Sequence, residues 1–155
     1  MADRDIADRP ADVSLSTPEL RHFRLPAHLA TGKGDMIETV AGRGEKDEAP
    51  ADAARRECLE EIGVTATKLV ELFSFLTTPG LTEEEIIVFL AAIDASQVPP
   101  QSGAAGEGER IEPMRVSIDD ALIALGSGAL RNGPLLIALQ WLALNRGRLA
   151  ELLRA

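Results

Sequence analysis

A set of fixed spacings between Gly42 and Val64 limits this chain more sharply than its length does. The order is Gly42, five residues, Glu48, seven residues, and then Arg56-Glu57-Cys58-Leu59-Glu60-Glu61-Ile62-Gly63-Val64. Pro50 suits the first turn of a helix, Ala and Glu fill the interior, and Gly63 supplies a stop, which predicts a helix from Pro50 to Ile62. At about 100° per residue, Glu57 and Glu61 fall one turn apart with Glu60 beside them. Three carboxylates then share one face, with Cys58, Leu59 and Ile62 expected on the other. Like charges so spaced repel by roughly a few tenths of a kcal/mol per pair in a bare helix. A hard, oxygen-seeking cation such as Mg²⁺ would remove that repulsion. A solvated acidic face is the ordinary reading of Glu-x-x-Glu-Glu alone.

The chain has 155 residues, 45% of them hydrophobic and 26% charged, which suits one soluble domain with a single core. Its formal charge of −9 excludes a phosphate-tracking nucleic-acid binder, which needs a Lys/Arg surface. A small phosphorylated ligand remains open, because a bound dication can reverse an acidic field locally. Cys58 is the single cysteine, so no intrachain disulfide is possible, and a buried helix thiol is expected rather than a nucleophile. Met1 to Pro10 lacks the apolar stretch of a signal peptide, and the run Leu135 to Leu144 is about half a bilayer span. A cytoplasmic protein without membrane contact is expected.

Residues 1–19 read as a loose tail, with the domain running from 20 to 155. Strands are expected at Leu20 to Leu25, Met36 to Ala41, Leu69 to Leu76 and Ile86 to Ile93, the last apolar enough for burial on both faces. Ala30 to Asp35 and Thr78-Pro79-Gly80 read as turns, and Ser96 to Arg110 as a long loop of the kind that often carries function. Ser117 with Asp120 forms a capping box for a short helix ending near Gly126. Asn132-Gly133-Pro134 opens a last helix to about Asn145, apolar on nearly every side, followed by a frayed charged end. This mixture of strands and helices indicates an α/β fold.

The pattern from Gly42 to Val64 matches the Nudix box, G-x5-E-x7-R-E-U-x-E-E-x-G-U with U apolar, at every specified position. A chance match at one starting point is on the order of one in 10⁹ from average residue usage. The chain is identified by this motif as a member of the Nudix superfamily. Over most of residues 20–145 it resembles the branch containing ADP-ribose and GDP-mannose pyrophosphatases. Arg21-His22-Phe23-Arg24-Leu25-Pro26 is similar to that branch's R-Q-F-R strand, and Ile37-Glu38-Thr39-Val40-Ala41-Gly42 to its L-E-x-x-A-G. Thr78-Pro79-Gly80 followed by Glu84 resembles its S-P-G-x-x-x-E, and Glu107-Gly108-Glu109-Arg110-Ile111-Glu112 its E-x-E-x-I-x.

The resemblance implies an α/β/α sandwich with a mixed sheet, shortened at the N-terminus. It implies Mg²⁺-dependent hydrolysis of a nucleoside diphosphate sugar to a nucleoside monophosphate and a sugar phosphate, with Mn²⁺ able to substitute. Glu57, Glu60, Glu61, Glu109 and the Ala41 carbonyl would hold metal. Glu107 would be the base that takes or orients the water proton, with Glu109 and Glu61 completing the catalytic set. Arg24, Glu38 and Glu84 would meet substrate. Gly42, Glu48, Arg56 and Gly63 would be structural, Arg56 pairing with Glu48 to hold the loop to the helix. The family's habit implies a homodimer with a small-molecule nucleotide as its other partner. Met1 to Glu19, with Val13 and Leu15 as its only plausible strand residues, is expected to lack the apolar strand and N-terminal module common in the branch. Two alternatives therefore stay open: a Nudix hydrolase of another nucleotide, or a shortened, catalytically inactive nucleotide-binding domain.

Overall fold

The structure, a computed structural model, describes residues 16–103 and 111–154. Strand β1 (Ser16–Phe23) lies between β2 (Asp35–Thr39) and β5 (Glu112–Ser117), antiparallel to both. Leu20 faces Glu38 on one side and Pro113 on the other. β3 (Lys68–Leu76) and β4 (Glu85–Ala92) form a separate antiparallel pair, with a register shift between Glu71 and Phe73. The α/β class read from the sequence holds. Its strand pairings among the described residues are all antiparallel, however, where a mixed sheet is the family expectation.

Helix α2 (Pro50–Ile62) covers one side of the strands. Its Cys58 and Ile62 pack with Leu20, Val64, Ala66 and Ile111, and Leu69 and Ala91 lean on the same cluster. On the other side, α3 (Ile118–Ser127), α4 (Gly133–Asn145) and α5 (Leu149–Arg154) bury Ala121, Leu135, Leu139, Leu142 and Leu149, with Ile37, Leu90 and Val116 against them. Neighbouring residues on a strand point to opposite faces. Leu90 and Ala91 of β4 do so here, one toward each helical layer, and this alternation makes the fold a helix–sheet–helix sandwich. Leu139 is 2% exposed, and burying a leucine so fully stabilises a fold by about 1.5–3 kcal/mol.

Local chemistry sets the boundaries. Pro50 in the first turn and Gly63 at φ 71° bracket α2, where the sequence predicts them. Ser117 accepts from the Asp120 amide at 3.1 Å, and Asn132 accepts from the Leu135 amide at 2.9 Å, capping α3 and α4. Other expectations change. β1 begins at Ser16, inside the segment read as a tail. A seven-residue helix, α1 (Leu25–Thr31), occupies part of the expected turn, ending at Gly32 with φ 70°. β5 occupies a stretch just beyond the expected loop for which the sequence suggests no element, and α5 stands where a frayed terminus is expected, with its Leu149 buried. β4 is half-buried along most of its length rather than buried on both faces, because its pair ends in an exposed turn and, among the described residues, has no third strand beside it. On α4, Leu135, Leu139 and Leu142 recur at helical spacing and are buried, while Ile137 and Leu144 reach solvent with Gln140.

Candidate active site

The site grows from one guanidinium. Arg56 donates from Nε to Glu48 Oε1 and from Nη2 to Glu48 Oε2, both at 3.1 Å, a two-pronged pairing that only a planar fork can make. Nη2 also reaches the Arg43 carbonyl at 2.9 Å, and the Glu45 amide donates to Glu48 Oε2 at 2.9 Å. The loop between Gly42 and Glu48 is thereby fastened to α2. The remaining prong, Nη1, donates to Glu57 Oε1 at 2.6 Å and to Glu60 Oε2 at 3.0 Å. One arginine therefore organises three of the four carboxylates of the motif. The hydrogen bonds from Arg56, and then from the Glu45 amide, hold the Glu48 carboxyl below its ordinary range. The bonds to Glu48 and Glu57 in turn hold the Arg56 proton more tightly than usual.

Glu61 is placed differently. It is 6% exposed, and its Oε2 accepts the Ala41 amide at 2.9 Å. Ala41, whose carbonyl is expected to join a metal shell, thus also supplies the amide that orients this buried carboxylate. Gly42, the next residue, lies directly against the Glu57 carboxylate, and a β-carbon there would overlap it. Gly63 carries φ 71°, and a β-carbon on it would come 2.9 Å from the Pro99 ring. Both glycines are dictated by close approach.

The opposite face of α2 departs from expectation at one position. Cys58 and Ile62 are buried, but Leu59 is 54% exposed, because 100° steps place it at the edge of the buried stripe. Burial pushes the Cys58 thiol up to about 11, and the negative charges of Glu61 and Glu57 add to the shift. A neutral, inaccessible thiol is a packing group.

The remaining candidates are scattered. Arg24 and Glu38 meet each other, Nε to Oε2 at 2.9 Å and Nη2 to Oε2 at 2.7 Å. Glu38 is buried and also accepts from Asn132 Nδ2 at 3.2 Å, which ties β2 to the capped start of α4. Glu84 sits on the exposed β3–β4 turn and accepts from Thr77 Oγ1 at 2.9 Å, while Pro79 lines an open depression nearby with Leu81 and Glu83. Glu107 and Glu109 lie outside the described residues. The sequence reading missed Asn132 as a partner of Glu38, and Ser102 and Gly103 as contacts of α2. Asn132 is signalled by its capping position, whereas Ser102 and Gly103 lie in a Gly/Pro/Ser-rich run with no motif.

Chemically, the cluster is a surplus of carboxylate around one arginine, with the Ala41 amide turned to Glu61. Such oxygen donors suit a hard dication such as Mg²⁺. Among the described residues no three acidic, His or Cys side chains converge on one point. Glu57 and Glu60 turn to Arg56, and Glu61 to the Ala41 amide. No helix among the described residues is long and apolar enough to cross a membrane.

Known proteins of one family resemble this chain over most of its length. The NUDIX domain profile matches residues 21–139, which takes in every described element from β1 into α4. The chain is 35% identical over 132 residues to an ADP-ribose pyrophosphatase of Bacillus subtilis, covering 85% of this chain and 68% of that protein. It is 33% identical over 126 residues to an ADP-ribose pyrophosphatase of Escherichia coli K12, covering 81% of this chain and 60% of the relative. Against a GDP-mannose pyrophosphatase of Citrobacter koseri the identity is 32% over 124 residues, 79% of this chain and 64% of the other. The chain thus spans roughly three-fifths to two-thirds of the length of these relatives. With the box folded around Arg56 and the profile matched across most of its length, the chain belongs to the Nudix family.

Proposed function

We propose that this protein hydrolyses the pyrophosphate bond of a nucleoside diphosphate sugar, of the ADP-ribose or GDP-mannose type, with Mg²⁺ or Mn²⁺ as its cofactor. The observation that carries the reading is the carboxylate cluster of α2, with Glu57 and Glu60 set by Arg56 and Glu61 set by the Ala41 amide. The similarity to pyrophosphatases of both kinds supports the substrate class.

In the reaction a water oxygen bonds to one phosphorus while the bridging P–O bond breaks and its electron pair leaves on the other phosphate. A dication held by Glu57, Glu60, Glu61, Glu109 and the Ala41 carbonyl would offset the phosphate charge and make water more acidic. Glu107 takes the water proton, acting as general base. Arg56 keeps Glu57 and Glu60 on one side of the helix against their mutual repulsion. Arg24, Glu38 and Glu84 serve the substrate; the Arg24–Glu38 ion pair sets the direction of the arginine from which it would meet phosphate or base. A homodimer is the proposed assembly, supported by the apolar side chains left in solvent, Leu144 of α4 among them at 86% exposure.

The test is Mg²⁺-dependent product formation across a panel of nucleotide sugars, diadenosine polyphosphates and nucleoside triphosphates. ADP-ribose or GDP-mannose should turn over at least tenfold faster by kcat/KM than the other classes. Preference for a triphosphate would reassign the substrate, and no turnover of any panel member would favour a binding domain.

A further inference from the structure

Two of the carbonyls at the end of α2 have partners that the motif does not explain. The last four carbonyls of a helix have no partner within it and must find one elsewhere. The Leu59 carbonyl takes the Gly63 amide at 3.1 Å, an ordinary left-handed glycine cap. The next two are taken by residues 43 and 41 positions further along the chain. Glu60 O accepts the Gly103 amide at 3.3 Å, and Glu61 O accepts the hydroxyl of Ser102. Gly103 has φ 121°, a conformation that side-chain-bearing residues rarely adopt, so the turn that delivers its amide requires glycine. Ser102 is fixed from its far side by a two-bond bridge with Ile111, amide to carbonyl in each direction at 3.1 Å, and Ile111 is fully buried in the cluster beneath α2. Pro99 closes the same corner by packing on Gly63.

Glu61 is therefore gripped twice. Its carboxylate accepts from Ala41, two residues beyond β2, and its backbone carbonyl accepts from Ser102. The two grips come from different parts of the chain and act on opposite ends of one residue. A carboxylate on the last turn of a helix is otherwise in the segment most prone to fraying.

We propose that Ser102 is a positioning residue for the active site: its hydroxyl, with the Gly103 amide, locks the terminal turn of α2 and so fixes where the Glu60 and Glu61 carboxylates stand. This rests on the metal-dependent reading of the cluster given above.

The test compares Ser102→Ala with Ser102→Thr, which keeps the hydroxyl, in the full chain. Amide hydrogen exchange should quicken at least tenfold over Glu60–Gly63 in the alanine variant, with the middle of α2 unchanged, and should return to within twofold of wild type in the threonine variant. Calorimetric titration with Mg²⁺ should show three- to tenfold weaker binding for alanine only. With ADP-ribose, kcat should fall about tenfold while KM stays within twofold. Local exchange unchanged in Ser102→Ala would overturn the lock, and altered exchange with wild-type Mg²⁺ binding would overturn its role in positioning the carboxylates. If alanine proves unstable, threonine behaving like wild type in both exchange and metal binding still supports the proposal, and threonine losing both overturns it. Failure of the functional reading itself appears separately, as wild-type protein that neither binds Mg²⁺ nor turns over substrate while the exchange difference persists.

Discussion

Gly42 lies against the Glu57 carboxylate with no room for a β-carbon between them. The atoms that an added methyl would meet are the far end of a flexible side chain, so Gly42→Ala should fold and yield by displacing Glu57. Small misplacements of a catalytic group cost about a hundredfold in rate. Gly42→Ala is therefore expected to lower kcat ten- to a hundredfold, with a thermal midpoint within a few degrees of wild type. Steady-state kinetics beside a melting curve would check this, and unchanged kcat would mean that the position of Glu57 is not critical.

Arg56 makes five contacts with its three nitrogens, to Glu48, Glu57, Glu60 and the Arg43 carbonyl. Lysine offers a point charge without the fork. Arg56→Lys should accordingly lose at least tenfold in kcat and should not recover at higher Mg²⁺. The same pair makes stability depend on acid. The Glu48 carboxyl is held below its ordinary 4.5 by Arg56, so its contribution is present above pH 4.5 and is lost as pH falls through the lower folded value. Urea midpoints measured from pH 6 down to pH 3 should fall less steeply in Glu48→Gln than in wild type. Parallel slopes would show that this ion pair does not couple to folding.

Cys58 should be inert in the folded protein. Its thiol is buried and raised from 9.0 to about 11, so almost no thiolate exists near neutrality. Because the folded value lies above the unfolded one, the protein loses stability as pH climbs from 9 toward 11. Iodoacetamide at pH 8 should label Cys58 at least a hundredfold more slowly in native protein than in urea. Rapid native labelling, read by mass spectrometry, would contradict the packing of α2 against Leu20 and Ile111.

The sequence exposes α2 almost to the residue because its limits are chemical: proline at the start, a left-handed glycine at the end, and a motif between. The caps of α3 and α4 are legible for the same reason, Ser117 and Asn132 each binding an amide three residues on. α1 is obscured by its brevity and by Thr31 and Gly32, which read as turn residues. β5 is hidden because Pro113 and Arg115 interrupt the apolar alternation, and α5 because Arg146-Gly147-Arg148 precede it. Within the site, the pairing of Arg56 with Glu48 is implied by the motif. Its grip on Glu57 and Glu60 depends on side-chain direction, which spacing does not encode. The Ser102 contact joins residues 41 positions apart through one hydroxyl, and no local pattern announces it.

The most direct test of the account is a Mg²⁺ titration of ADP-ribose and GDP-mannose hydrolysis in wild type and Glu61→Gln. Glutamine keeps the shape of the side chain and an oxygen that can accept the Ala41 amide, but it removes the charge. Wild type is expected to show saturable Mg²⁺ dependence, releasing a nucleoside monophosphate and a sugar phosphate. Glu61→Gln should retain the fold and lose at least about a hundredfold in turnover, the scale of lost metal-based stabilisation of the transition state. Equal rates and equal Mg²⁺ dependence in the two proteins would contradict the assignment of this helix as the metal-binding face.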